Sequence, residues 1–139
     1  MPDGADAVRL EFDGPIAIIS YDRPEKHNAA NDAMDQRLFA ILAELHTRPG
    51  LRAVIWRGEG KSFSSGRDTS QLGVRTEDIS DFEFIERGHR GTLQLLSLQA
   101  PIERVAAPDT IVPLPRLEKA YMPGEKQILE AARRAVSFA

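Results

Sequence analysis

Apolar and polar residues alternate from Val8 to Phe12, and a β-branched apolar run from Ile16 to Ser20 follows across Asp13-Gly14-Pro15. A period of two fits a strand with one buried face, and Asp-Gly favours the positive φ of a tight turn, so the pattern predicts a hairpin. The period then changes. Met34, Leu38, Ile41, Leu42 and Leu45 recur at helical spacing behind Asn31 or Asp32 as cap, and Pro49-Gly50 closes that helix. Leu51 to Arg57 reads as a return to the sheet around the apolar centre Ala53 to Trp56. A second helix is predicted over Asp81 to Leu98 from Phe82, Ile85, Leu93, Leu95, Leu96 and Leu98; Gly88 and Gly91 weaken it and Pro101 stops it.

Beyond Leu98 the texture shifts, with five prolines between Pro101 and Pro123. The pattern predicts a short strand over Ile102 to Ala106, a stiff connection from Pro108 to Pro115, and a helix from about Gly124. In that helix Ile128, Leu129, Ala132, Ala135 and Val136 form an apolar stripe suited to core or subunit contact, opposite the wet face of Glu125, Lys126, Glu130, Arg133 and Arg134. The fold class is α/β.

Composition narrows the classes of partner. At 139 residues and 42% hydrophobic, the chain can bury a core but has no room for two ordinary domains, so one compact unit is expected. A net charge of −3 argues against a nucleic-acid or anionic-membrane surface. With no cysteine there are no disulfides or thiolate metal sites. There is no long apolar run and no signal-peptide pattern, so a cytoplasmic location is expected.

The richest chemistry lies where the strand Ala53 to Trp56 empties into Arg57-Gly58-Glu59-Gly60-Lys61-Ser62-Phe63-Ser64-Ser65-Gly66-Arg67-Asp68. Gly58, Gly60 and Gly66 can take conformations closed to other residues, so main-chain N–H groups around Ser64 to Asp68 can converge on one developing negative charge, half of an oxyanion hole. A phosphate-cradling loop needs glycine where Ile55 stands, and a nucleophile elbow needs glycine where Ser64 stands, so both fail. An ordinary polar strand-to-loop connection stays open on these residues alone.

Upstream, Ile16 to Ser20 leads into Tyr21-Asp22-Arg23-Pro24-Glu25-Lys26-His27-Asn28-Ala29-Ala30-Asn31 and then a helix. Together with Gly58-x-Gly60-x-x-Phe63-Ser64-x-Gly66-x-Asp68, this order resembles the enoyl-CoA hydratase/isomerase (crotonase) superfamily over about residues 8 to 100. The resemblance implies a partial crotonase-like ββαβ core whose open sheet edge needs another cover. It also implies that the backbone N–H of Arg67 is one of two oxyanion donors to an acyl-CoA thioester. Lys26, Ser64, Ser65, Gly66 and Asp68 would then lie along the bound coenzyme A, which enters as part of the substrate, and no other cofactor is implied.

After Leu96-Ser97-Leu98-Gln99-Ala100-Pro101-Ile102 the family continues with a buried strand, a glycine-rich turn supplying the second donor, and acid/base carboxylates. Here the chain reads Glu103-Arg104-Val105-Ala106-Ala107-Pro108-Asp109-Thr110-Ile111-Val112-Pro113 instead, with no run of glycines after Gly91. Residues 100–139 resemble the carboxy-terminal end of the β subunit of thiamine-dependent 2-oxoacid dehydrogenases, of transketolase C-terminal type. That end packs the domain and the subunit interface and brings no thiamine site. The expected object is a chimera: residues 1–100 crotonase-like, 101–139 a dehydrogenase-like tail. The expected function is acyl-CoA binding with impaired or absent catalysis; the alternative is a non-catalytic chimera or assembly element without a small ligand. A third reading is a complete enzyme that recovers the missing groups from a neighbouring subunit, and a homo-oligomer is among the expectations.

Other chemistry is thin. His27, His46 and His89 lack metal-ligand spacing and read as solvated or hydrogen-bonded residues, so no metal site is expected. Glu83 and Glu86, three apart on the second helix, form a candidate carboxylate pair, and His89 a candidate group leaning toward the thioester; a solvated face is the alternative for the pair.

Overall fold

The two-residue turn Gly14-Pro15, with Gly14 at φ 56°, joins β1 (Val8–Asp13) to β2 (Ile16–Tyr21) in antiparallel register from Asp13 opposite Ile16 to Val8 opposite Tyr21. The computed structural model in which this is seen describes residues 4–71, 80–98, 105 and 123–137. β3 (Ala53–Gly58) adds to the far side of β2 in parallel, Ile16 beside Ala53 through Tyr21 beside Gly58, giving the order β1-β2-β3. Parallel neighbours need a crossover, and α1 (Asp32–Thr47) supplies it. Asn31 is its cap: its side chain accepts from the Met34 N–H at 2.9 Å, and Asp32 is the first helical residue.

Strand alternation turns Val8, Ala17, Ile19 and Tyr21 toward α1, where they pack with Met34, Leu38, Ile41, Leu42 and Leu45. Ile19, Met34 and Ile41 are completely buried, each contributing about 1.5–3 kcal/mol of apolar burial. The opposite face of the sheet carries ions. Arg57 reaches Glu59 at 3.2 Å and Glu11 at 3.8 Å and donates to Ser20 Oγ at 2.9 Å, while Arg9 reaches Asp22 at 2.5 Å and Glu59 at 3.2 Å. Such half-exposed pairs add little stability but keep that face wet. Among the described residues no strand pairs with the outer edge of β3.

α2 (Asp81–Leu96) begins on a capping box in which Ser80 Oγ accepts from the Glu83 N–H at 3.2 Å and the Glu83 carboxylate accepts from the Ser80 N–H at 2.9 Å. Its apolar residues do not all serve the core as a helix of this composition suggests. Leu98, two residues past the helix end and so outside the helix predicted to reach it, is buried and Leu95 partly so, but Phe82, Ile85, Leu93 and Leu96 face water. The sequence weighs Gly91 as a weakness, whereas the structure gives it a packing role: it is the buried point of α2, and a Cβ there would run into the Phe39 ring of α1.

By internal contact the chain divides into Met1–Gln99 and Ala100–Ala139, and each is described by itself. In the second, α3 (Glu125–Ser137) buries Ala131 and Ala135. Ile128, Leu129 and Val136 stay half exposed and Ala132 is exposed, so only Ala135 of the expected stripe is covered. The predicted strand over Ile102 to Ala106 and the Pro108 to Pro115 connection lie outside the described residues, apart from Val105, which is exposed and in no element. No helix among the described residues is long and apolar enough to cross a membrane.

Replacing Gly91 by alanine usually gains about 1 kcal/mol of helix propensity. Here overpacking against Phe39 is expected to outweigh that gain and leave a net loss of about 1–2 kcal/mol. Urea unfolding of Gly91→Ala, alone and with Phe39→Leu, checks this; the second change restores the loss.

Candidate functional site

The loop after β3 is folded back by polar contacts that the quoted motif contains but its spacing does not announce. Asn28, fully buried, accepts from the Arg23 N–H at 2.8 Å and donates to the carbonyls of Glu59 at 2.9 Å and Ser62 at 2.6 Å. It thereby ties the segment after β2 to the segment after β3. His27 and Asn28 sit consecutively in the left-handed region, φ 50° and 55°, a conformation that such dense anchoring sustains. Gly58 is required for space, since a Cβ there would meet the carbonyls of Ser62 and Phe63 and lie 2.6 Å from Asn28 Nδ2. Above it Phe63 stacks on Tyr21 at 6.2 Å and meets Trp56 edge-on at 5.6 Å.

Further along, Ala30 and Arg67 form a parallel bridge. The Ala30 N–H donates to the Gly66 carbonyl and the Asp68 N–H donates to the Ala30 carbonyl, both at 2.8 Å. In that pattern the N–H and C=O of Arg67 point away from Ala30, and among the described residues its N–H meets no acceptor. Gly66, at φ 94°, makes the turn that presents it. The neighbouring amides are spent: Ser65 on the His27 carbonyl at 3.0 Å, Gly66 on Ser64 Oγ at 3.1 Å, and Asp68 on Ala30. Three of the five amides over Ser64 to Asp68 are thus engaged, and the Arg67 N–H is the one that the bridge turns away from its partner segment.

The remaining sequence-derived residues fall into two groups. Lys26 and Ser65 are exposed on the same surface, the Ser65 hydroxyl 3.4 Å from the Lys26 carbonyl, and Ser64 donates to the Asn28 carbonyl at 2.9 Å. Asp68 is buried scaffolding: one carboxylate oxygen takes the Arg23 guanidinium at 2.7 Å, the other takes the Ser70 hydroxyl at 2.6 Å and N–H at 3.0 Å. The Ser70 hydroxyl and then Arg23 hold this carboxyl well below the usual carboxylate range.

Arg67 has a second role in its side chain. The guanidinium grips Asp32 and Asp35 in the first turn of α1 and lies 5.6 Å from the Phe84 ring of α2, within cation–π reach. Burial pushes the Asp35 carboxyl up to about 6 even beside that cation. Burial, and then the charge of Asp35, push the Tyr21 hydroxyl up, so it stays protonated. Asp32, Asp35, Arg23 and Asn28 are the site residues that sequence reasoning missed; three polar residues at Arg23, Asn28 and Asn31 between a strand and a helix are the signal that was there.

The Glu83–Glu86 pair does not form. Glu83 is taken by the capping box, which lowers its carboxyl, and Glu86 by Arg90 at 3.0 Å, with both on a solvated face. His89 is exposed, and His27 Nδ1 lies 3.4 Å from Ser62 Oγ. No cluster of three His, Asp or Glu side chains among the described residues is arranged to hold a metal.

With this geometry in hand, comparison with known proteins is specific. The family described as Enoyl-CoA hydratase/isomerase matches residues 11–107. The probable enoyl-CoA hydratase EchA14 of Mycobacterium tuberculosis is 36% identical over 76 residues, 55% of this chain and 30% of that protein. The pyruvate dehydrogenase E1 component subunit beta of Bacillus subtilis is 48% identical over 44 residues, 32% of this chain and 14% of that one. Among solved structures, carnitinyl-CoA hydratase from Mycobacterium avium superposes with a TM-score of 0.50 at 35% identity, over 59% of this chain and 31% of its own. The chain thus spans less than a third of each of these relatives.

Truncating Asn28 to alanine strands a buried N–H and two carbonyls, and a loss on the order of 3 kcal/mol is expected in urea unfolding. Two carboxyls also give stability opposite slopes with pH. Asp68 titrates lower in the folded chain than the ordinary value of about 4, so its contribution is full above that pH and is lost as pH falls below it. Asp35 titrates near 6 when folded, so the folded state binds the extra proton and gains stability as pH falls from about 6 to about 4. Melting temperatures of Asp68→Asn and Asp35→Asn across pH 2–8 check both: the first variant loses the acid-limb dependence, the second the gain between 6 and 4.

Proposed function

The chain belongs to the enoyl-CoA hydratase/isomerase family, and from that premise we propose that it is an acyl-CoA-binding module with impaired or absent catalysis. One observation carries the reading: a backbone N–H at Arg67 turned away from its bridge partner, with no acceptor of its own among the described residues, in a loop pinned from three sides. Charge accumulates on a thioester oxygen as an enolate forms, and a fixed amide dipole stabilises that charge without reorganising. Lys26, Ser64, Ser65 and Gly66 border the same surface and would meet the coenzyme A portion, leaving Asp68 to hold the loop. Coenzyme A arrives with the ligand, and no separate cofactor is invoked.

The impairment follows from chain content after Ile102. A dehydrogenase-like proline-rich sequence stands where the family supplies its second donor and its carboxylates, and likeness to two unrelated enzymes supports a chimeric origin. A single donor retains part of the binding and forfeits most of the rate, since losing one oxyanion donor costs about a hundredfold to a thousandfold.

Crotonyl-CoA should raise the melting temperature, because a ligand that binds only the folded state stabilises it, by about 2.7 kcal/mol at a hundred times its Kd. Arg67→Ala keeps the amide and should keep the shift; Arg67→Pro removes the N–H and should abolish it. No shift at millimolar crotonyl-CoA would favour an assembly element without a small ligand. Rapid hydration of crotonyl-CoA would instead mean that a neighbouring subunit completes the site.

A further inference from the structure

The outer face of α2 holds a pattern that neither the core nor the loop site uses. Phe82, Ile85, His89, Leu93 and Leu96 are all exposed, Phe82 by 74% and Ile85 by 68%. At 100° per residue the five lie within about 80° of arc, on the side opposite the Gly91 contact with Phe39. Their spacing is three, four, four, three, which reads the same from either end. Laid antiparallel on itself, the helix sets Phe82 against Leu96, Ile85 against Leu93, and His89 against His89.

We propose that this stripe is a twofold contact between two copies of the chain, with His89 on the axis. A twofold interface requires a surface complementary to itself, and this one is so by register. The flank agrees: Glu86 and Arg90 lie on the same side of the stripe, so twofold symmetry brings Glu86 of one copy within about 3 Å, along the helix, of Arg90 of the other. Each copy already pairs those two residues at 3.0 Å, and the contact joins the pairs into a four-charge rim that favours this alignment. Four large side chains per copy, each at least half exposed, bring on the order of 1,000 Å² of apolar surface together. That is the low end for a specific pair, so the dimer is reversible and forms at micromolar or higher concentration. Two facing imidazoles at the centre weaken it further.

The chain has no cysteine, so one can be placed at will. In the full chain under mild oxidation, His89→Cys should cross-link efficiently. Phe82→Cys should not, because twofold-related copies of position 82 lie about 21 Å apart, beyond disulfide reach. Sedimentation velocity should show concentration-dependent dimers, tightened about tenfold by His89→Leu and abolished by Leu93→Glu, with circular dichroism unchanged. Dimers that survive Leu93→Glu, or equal cross-linking from positions 82 and 89, would overturn the proposal. A chain that stays monomeric to about millimolar concentration would also overturn it; if Leu93→Glu then lowers the melting temperature, the chain's own tail covers the stripe.

Discussion

The buried contact between the Arg23 guanidinium and the Asp68 carboxylate joins two segments 45 residues apart, and the loop geometry depends on it. A charge taken out of water must be matched closely or it destabilises the fold. Here the match is dense: the same guanidinium nitrogen also donates to the Ala29 carbonyl at 3.1 Å, and Ser70 satisfies the other carboxylate oxygen. Asn28 then fixes the rest of the loop on the same platform. The parallel bridge at Ala30 and Arg67 inherits its alignment from these contacts, and that bridge decides which way the Arg67 peptide faces. Apolar packing of α1 on the sheet stabilises the unit, but this polar lock sets the direction of one N–H.

The Arg67 side chain adds a constraint of another kind. Its guanidinium meets two acids at the start of α1, where carboxylates are already favoured by the positive end of the helix. It also lies near Phe84, so the residue that presents the amide is tied to both α1 and α2. A substitution at Asp32 or Asp35 therefore frees the Arg67 side chain, while the bridge to Ala30 still holds the Arg67 peptide.

Much of this was legible in the sequence, for identifiable reasons. The hairpin, α1 and β3 each carry a strong period, and Asn31 is a cap by chemistry as well as position, so local rules and tertiary packing agree. The loop was legible through Gly60, Gly66 and the serines. Its partners were not, because Arg67 meets Asp32 across 35 residues and Asp68 meets Arg23 across 45, and neither pairing leaves a local trace. For α2, periodicity marked an apolar helix but could not say which apolar residues would be covered. Gly91 chose the buried side by letting Phe39 approach, and left Phe82, Ile85, Leu93 and Leu96 outside.

Trp56 is the only tryptophan in the chain, and its indole N–H is buried between Tyr21 and the half-exposed Phe63 with no hydrogen-bond partner among the described residues. Because Phe63 belongs to the loop and Trp56 to the sheet, lifting the loop lets water reach the indole. The molecule thus carries its own optical gauge: a red shift in tryptophan emission registers the unseating of that loop, without a dye, while the helices stay folded.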